Sequence, residues 1–310
     1  MRGPAGAGRG FVRKVRQNWR WGRTHGWADL VQEHDVDPAV RARRAFRKIR
    51  WRITTGFGDG DRTAVFLFGA QRSGTNMIVH GLDEAPEFRV YNEGHRHAFD
   101  HFRLRPLPTI EALIDRSPAQ YVLFKPLCDS HRAVEILDRF GSRARAIWAY
   151  REVDGRVRSE LAKFGDSNLR VLRAYAAGEA DEAWQVQGMS PENADFVRSL
   201  DPGQLSAESG AALFWYVRNT LYFKMSLDQR DDAMLVSYND FLARPVETAR
   251  ALCAFLGVGY RSGFIAHVEP RPPAWRQPLS IDDRIRERCT ELQERLDRAS
   301  QRQVSTLLHG

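Results

Sequence analysis

The chain has 310 residues, 43% of them hydrophobic, and a formal net charge of +8, which is enough length for a sizeable core and an ordinary globular composition. No apolar run approaches the ~18 residues of a membrane-spanning helix, and the Arg-rich N-terminus lacks the apolar stretch of a secretory signal. Three widely spaced cysteines, Cys128, Cys253 and Cys289, argue against a disulfide framework or a zinc site and for a reducing, cytoplasmic setting.

The charge is unevenly placed. Of 47 basic and 39 acidic residues, 14 and 4 fall in positions 1–52, so that arm carries +10 and the remainder −2. Such an arm reads as a solvated surface or as a contact with an anionic membrane or acidic polymer. Nucleic acid is not expected, because no recognition module or stacking platform accompanies the charge. Residues 1–17 are Gly/Arg-rich and read as disordered. From Asp37-Pro38 to Ile53, Val40, Ala45, Phe46 and Ile49 recur at helical spacing, which predicts an amphipathic helix with an Arg-covered outer face. Gly56-Phe57-Gly58-Asp59-Gly60-Asp61 reads as a flexible joint. The expected organisation is a basic arm over 1–60, an α/β domain over 61–270, and a Pro-rich segment plus helix over 271–310 packing on that domain.

The core alternates. Ala64–Phe68 reads as a strand and Gly74–Leu82 as a helix. Phe88–Tyr91 and Tyr121–Phe124 read as strands, and Ser130–Phe140 as a helix. Arg145–Tyr150 is a strand, and Gly155–Phe164 a helix with Asp154 as its expected N-cap. Ser206 opens a helical run with Leu213, Phe214, Val217, Leu221 and Met225 on one face. Met234–Tyr238 is the last strand, and Val246–Leu256 the last core helix, closed by Gly257. Apolar strands alternating with helices imply an α/β fold: a P-loop-like three-layer sandwich with a central parallel sheet flanked by helices. Ligands of such sheets sit at the carboxyl ends of the strands. Gly69–Asn76, Asn92–His97, Lys125, Arg151 and Tyr238 follow or end predicted strands and are expected to line one crevice.

The first of these segments, Gly69-Ala70-Gln71-Arg72-Ser73-Gly74-Thr75-Asn76, has the form of a phosphate cradle between strand and helix. Gly69 and Gly74 have the separation of the G-x-x-x-x-G-K-[ST] loop, but Thr75 stands where its Lys belongs. A second anion site follows. Ile147-Trp148-Ala149-Tyr150-Arg151 ends a strand in a planar guanidinium fork, and Ser159, eight residues on, adds a hydroxyl from the next helix.

Two anion sites without the loop Lys make the chain resemble the PAPS-dependent sulfotransferases, of the bacterial or carbohydrate-type branch. The resemblance covers about residues 63–258. It implies that Arg72, Ser73, Gly74, Thr75 and Asn76 bind the 5′-phosphosulfate of 3′-phosphoadenosine 5′-phosphosulfate (PAPS), and that Arg151 and Ser159 bind its 3′-phosphate. A third echo, Ser237-Tyr238-Asn239-Asp240-Phe241-Leu242 with Ala254-Phe255-Leu256-Gly257-Val258, places Tyr238 near the adenine. PAPS enters as co-substrate and no metal is required. Glu93, after the second strand, stands where carbohydrate and many bacterial members place a carboxylate base. His95 and His97 are alternative bases, with a pKa range suited to the task. With His101 they form H-x-H-x-x-x-H, a spacing that a metal site or a plain polar loop can carry. Lys125 is expected to stabilise the transferring group, although Leu127 replaces the His that follows this Lys in many cytosolic members. The family's R-x-G-x-x-G segment is absent, with Arg271 or Arg276 as substitutes.

The implied activity is sulfuryl transfer from PAPS to an acceptor hydroxyl on a small molecule or carbohydrate, with loops 92–120 and 165–205 building the acceptor pocket. Alternatives are a P-loop small-molecule kinase or NTPase, or a non-catalytic nucleotide- or polyanion-binding protein. The kinase reading lacks both the loop Lys and a magnesium-holding Asp, since Arg151 occupies the strand end. The sequence carries no signal of oligomeric state.

Overall fold

The computed structural model describes residues 38–55, 62–270 and 277–309. The reading of 1–17 as disordered, the joint at 56–61, and Arg271 and Arg276 lie outside them. The chain divides into two compact units, Met1–Thr54 and Thr55–Gly310. The described part of the first, residues 38–54, belongs to one helix, Pro38–Thr55. Phe46 and Ile49, expected on an inward face, are exposed on it.

The second unit is an α/β sandwich. Its elements in chain order are β1 (Thr63–Gly69), α1 (Thr75–Glu84), β2 (Phe88–Tyr91), β3 (Phe99–Asp100), β4 (Arg103–Leu104), α2 (Leu107–Asp115), β5 (Tyr121–Phe124), α3 (Ala133–Phe140), β6 (Ala144–Tyr150), α4 (Val153–Phe164), α5 (Ser167–Ala176), α6 (Pro191–Ser199), α7 (Ala207–Lys224), β7 (Ala233–Ser237), α8 (Tyr238–Ala243), α9 (Pro245–Leu256) and α10 (Asp283–His309). Five strands pair in the order β2-β5-β1-β6-β7, every pair parallel. β3 and β4 form a separate antiparallel hairpin.

Strand residues alternate between the two faces. Phe66, Phe68, Phe124, Trp148 and Leu235 join one apolar cluster with α3, α4, α5, α7 and most of α10. Val65, Leu67, Leu123, Ile147 and Val236 join the other with α1, α8 and α9. Both faces are covered, so the strands read as unbroken apolar runs. β1 is central. The chain builds β2 and β5 on one side of it and then crosses to β6 on the other, which puts the switch in strand order, and a ligand crevice, at the carboxyl end of β1.

Several boundaries differ from the sequence reading. Ser130 lies in a 3₁₀ turn, Leu127–Arg132, before α3 begins at Ala133. Glu152, not Asp154, caps α4, its carboxylate accepting from Gly155 N–H at 2.7 Å. Asp154 lies in the first turn and pairs with Arg286 of α10 at 2.8 Å. β7 stops at Ser237, which caps α8, so Tyr238 opens a helix rather than ending a strand. The segments read as loops contain the β3/β4 hairpin, α2, α5 and α6.

Candidate active site

The β1–α1 turn is built by backbone conformation. Gly69 (φ 125°), Arg72 (φ 68°) and Gly74 (φ 82°) all take positive φ. At Gly69 a Cβ would stand 2.2 Å from Ala149 O, and at Gly74 2.2 Å from the Tyr238 ring. Only glycine fits either place. Arg72 is in the left-handed region at a cost of about 1–2 kcal/mol, a strain that proteins keep where a loop is over-determined by its surroundings. Gly74 is the N-cap of α1 and Thr75 its first residue, so the free amide groups of that turn face the crevice. Ser130, buried beneath the turn, accepts from Gly69 N–H at 3.1 Å. Ser73 Oγ is buried and has no hydrogen-bond partner among the described residues.

Arg72 reaches across to the second motif: its Nε donates to Ser159 Oγ at 3.0 Å. Arg151, just beyond β6, lies over the Tyr238 ring, 4.6 Å from its centroid, and Tyr238 in turn covers Gly74. Arg72, Ser159, Gly74, Tyr238 and Arg151 therefore form one rim. Trp215 of α7 fixes the strand tip by donating from Nε1 to Arg151 O at 2.8 Å, and Asn239 accepts from Glu152 N–H at 3.1 Å.

Behind the rim lies a residue that the sequence did not single out. Arg156 of α4 is fully buried. It donates to Gln71 O and to Ala211 O, both at 3.0 Å, pairs with Glu160 and lies 4.8 Å over the Phe214 ring. Burial first, then the positive neighbours Arg72 and Arg151, push its pKa down to about 9. It stays charged at neutral pH, and it adds a third guanidinium behind the rim that Arg72 and Arg151 form. Its spacing of four residues before Glu160 was the available sequence signal, hidden among many other arginines.

The third side of the crevice belongs to β2 and β5. Lys125, buried at the end of β5, donates from Nζ to Asn76 Oδ1 at 2.6 Å and stands 3.4 Å from Glu93 Oε2. It thus joins the first turn of α1 to the loop after β2. The other oxygen, Glu93 Oε1, is buried without a hydrogen-bond partner among the described residues. His95 packs edge-on against Tyr91, ring centroids 4.7 Å apart, and its Nδ1 is likewise buried and unpartnered among the described residues. Burial, then the charges of His97 and Arg89, lower its pKa. His97 is exposed, 5.3 Å from His95 between ring centroids. Among the described residues no group of three His, Cys, Asp or Glu is arranged to hold a metal ion. The three cysteines are free and buried.

No protein-family model and no curated protein matches the chain. Among solved structures it is similar to a sulfotransferase from Alicyclobacillus acidocaldarius, at 15% identity and a TM-score of 0.41 over 80% of this chain and 96% of that one. It is also similar to the sulfotransferase domain of the Synechococcus PCC 7002 olefin synthase, at 12% identity and a TM-score of 0.44 over 76% of this chain and 95% of that one. Both likenesses are too remote to carry a residue role across.

Proposed function

We propose that this protein is a sulfotransferase that moves a sulfuryl group from PAPS to an acceptor hydroxyl. The observation that supports this best is the 3.0 Å bond from Arg72 Nε to Ser159 Oγ. It makes the β1–α1 cradle and the β6–α4 motif one continuous cationic rim, and a nucleotide with two separate anionic groups suits such a rim. The residues fit that ligand on two further counts: Ser73 Oγ is a buried hydroxyl in want of a partner, and the half-buried Tyr238 ring completes the rim between Gly74 and Arg151, beside the place that the base would take.

Bound PAPS would supply the sulfuryl group, which leaves the 5′-phosphate oxygen as the acceptor oxygen bonds to sulfur in line. The chain's own residues do the rest. Arg72 and the amides of residues 73–76 hold the 5′ anion at the start of α1. Arg151 and Ser159 hold the 3′-phosphate. Lys125 offsets charge on the transferring oxygens. Glu93 takes the proton of the acceptor hydroxyl, and its 3.4 Å contact with Lys125 holds it beside the transferring group. A hydroxyl on a saccharide is the acceptor that a carboxylate base after β2 favours. His95 is held neutral and turned to Tyr91, which suits it to orienting the Glu93 loop.

Calorimetry with PAP, the desulfated nucleotide, against ATP–magnesium tests the reading. PAP is expected to bind and ATP–magnesium to bind at least ten-fold more weakly; ATP binding with no PAP binding would overturn it. Arg151→Ala is expected to weaken PAP ten-fold or more, the loss of a charge-assisted contact worth about 1.5–3 kcal/mol. Glu93→Gln is expected to leave PAP affinity unchanged and to lower labelled-sulfate transfer from PAPS about 100-fold or more. Full turnover in that variant would remove Glu93 from the mechanism. A panel of saccharides, lipids and phenols identifies the acceptor.

A further inference from the structure

The helix Pro38–Thr55 inverts the usual order of a surface helix. At 100° per residue, Phe46, Ile49 and Ile53 fall in one narrow stripe, and they are 68%, 51% and 78% exposed. They are three of the five large hydrophobic residues exposed among the described residues. Arg44, on the opposite side of the same helix, is buried. Arg43, Arg47 and Arg50 are exposed along one border of the apolar stripe. The helix holds seven Lys/Arg and no Asp or Glu, within an arm of net charge +10.

We propose that this helix docks the protein on an anionic lipid surface. It lies in the plane of the interface, with Phe46, Ile49 and Ile53 below the headgroups and Arg43, Arg47 and Arg50 against the lipid phosphates. A basic helix with one apolar stripe is the form that such surfaces take up, and each basic residue near them adds to the attraction. The helix does not cross the bilayer: no described helix is long and apolar enough. An acidic polymer would meet the arginines but leave the three apolar side chains in water. A second copy of the helix would set seven positive charges against seven. Of these three, the lipid surface alone offers negative charge and apolar depth together.

The test is co-sedimentation of the full chain with vesicles of phosphatidylcholine alone and with about 30% phosphatidylserine. At least ten-fold more protein is expected to pellet with the anionic vesicles, and raising salt from about 0.05 to 0.5 M should release most of it. The combined Phe46→Ser, Ile49→Ser, Ile53→Ser variant is expected to lose at least ten-fold in partitioning while keeping the wild-type melting temperature. Combined Arg43→Gln, Arg47→Gln, Arg50→Gln keeps the apolar stripe and is expected to lose the preference for anionic vesicles, so the charge half of the proposal is tested independently. Equal pelleting with neutral and anionic vesicles, or undiminished binding by the serine variant, would overturn the proposal. So would binding to heparin without binding to vesicles, which assigns the helix to an acidic polymer. A dimer that only the serine variant loses would assign the stripe to a second copy.

Discussion

His131 shows how a single buried group ties stability to pH. It sits in the turn after β5, with Gly188 so close to its Cβ that a side chain there would lie at 2.6 Å. Burial, then the charges of Arg218, Arg103 and Arg132, push its pKa down to about 4, against a weaker opposing pull from Glu135. An unfolded His titrates near 6.5. Between those values the unfolded chain binds a proton that the folded one refuses, so this contribution to stability is complete above pH ~6.5 and is lost as pH falls toward 4. His131→Gln should flatten that slope. Urea unfolding at about pH 7 and 4.5 is expected to show the wild type losing roughly 1–2 kcal/mol more than the variant on acidification, after allowance for solvent screening; equal losses would place the acid sensitivity elsewhere. Arg156 is the second residue with a disproportionate reach. Its loss leaves Glu160 charged and buried, and frees Gln71 O under the cradle. Arg156→Ala is expected to cost about 3–5 kcal/mol in urea unfolding, and adding Glu160→Gln should recover part of it.

The strands were the most legible elements. β1, β5, β6 and β7 are buried along nearly their whole length, so each reads as an apolar run with one register of boundaries. β3 and β4 were not legible, because two-residue strands carry no period. The α4 cap was misread for a local reason: Glu152 and Asp154 are both carboxylates near the turn, and only the three-dimensional path shows that Glu152 folds back on Gly155. In the proposed site, the loop form and the spacing of eight single out Arg72, Arg151 and Ser159 as candidates. The contact of Arg72 with Ser159 was not legible, since it joins residues 87 apart in sequence. The outer edge of β7 was also silent in sequence. There α10 acts as a substitute strand: Gln303 Oε1 accepts from Leu235 N–H at 2.8 Å, its Nε2 donates to Ala233 O at 3.1 Å, and Ser300 Oγ donates to Leu235 O at 3.2 Å. An amide matched to two backbone groups closes an edge that would otherwise invite pairing. Gln303→Leu keeps the volume but orphans both groups. A loss of about 1–3 kcal/mol is expected, with faster hydrogen exchange at the Leu235 amide and little change at the central β1 amides.

At the scale of the molecule, charge and structure divide at the same place. The unit Met1–Thr54 carries a net +10 and the remainder −2, while Thr55–Gly310 contains the whole described sheet, both apolar clusters and every residue of the proposed site. Periodicity could name Phe46 and Ile49 as sharing a face, but not what covers that face, because a helix pattern is the same whether its stripe meets a core, a lipid or water. The division leads to a prediction with two separable readings. A chain beginning at Thr55 carries 33 basic and 35 acidic residues, a net −2 against +8 for the full chain. Its core is closed on both sheet faces and on the β7 edge by elements that all lie after Thr55. The fragment is therefore expected to unfold cooperatively, to bind PAP as the full chain does, and to pass through a cation exchanger at neutral pH that retains the full chain. Loss of PAP binding in a fragment that still melts cooperatively would mean that the basic arm contributes to the nucleotide site. Retention on the exchanger would mean that the core presents a concentrated cationic face of its own, with the Arg72, Arg151 and Lys125 crevice as the first place to look.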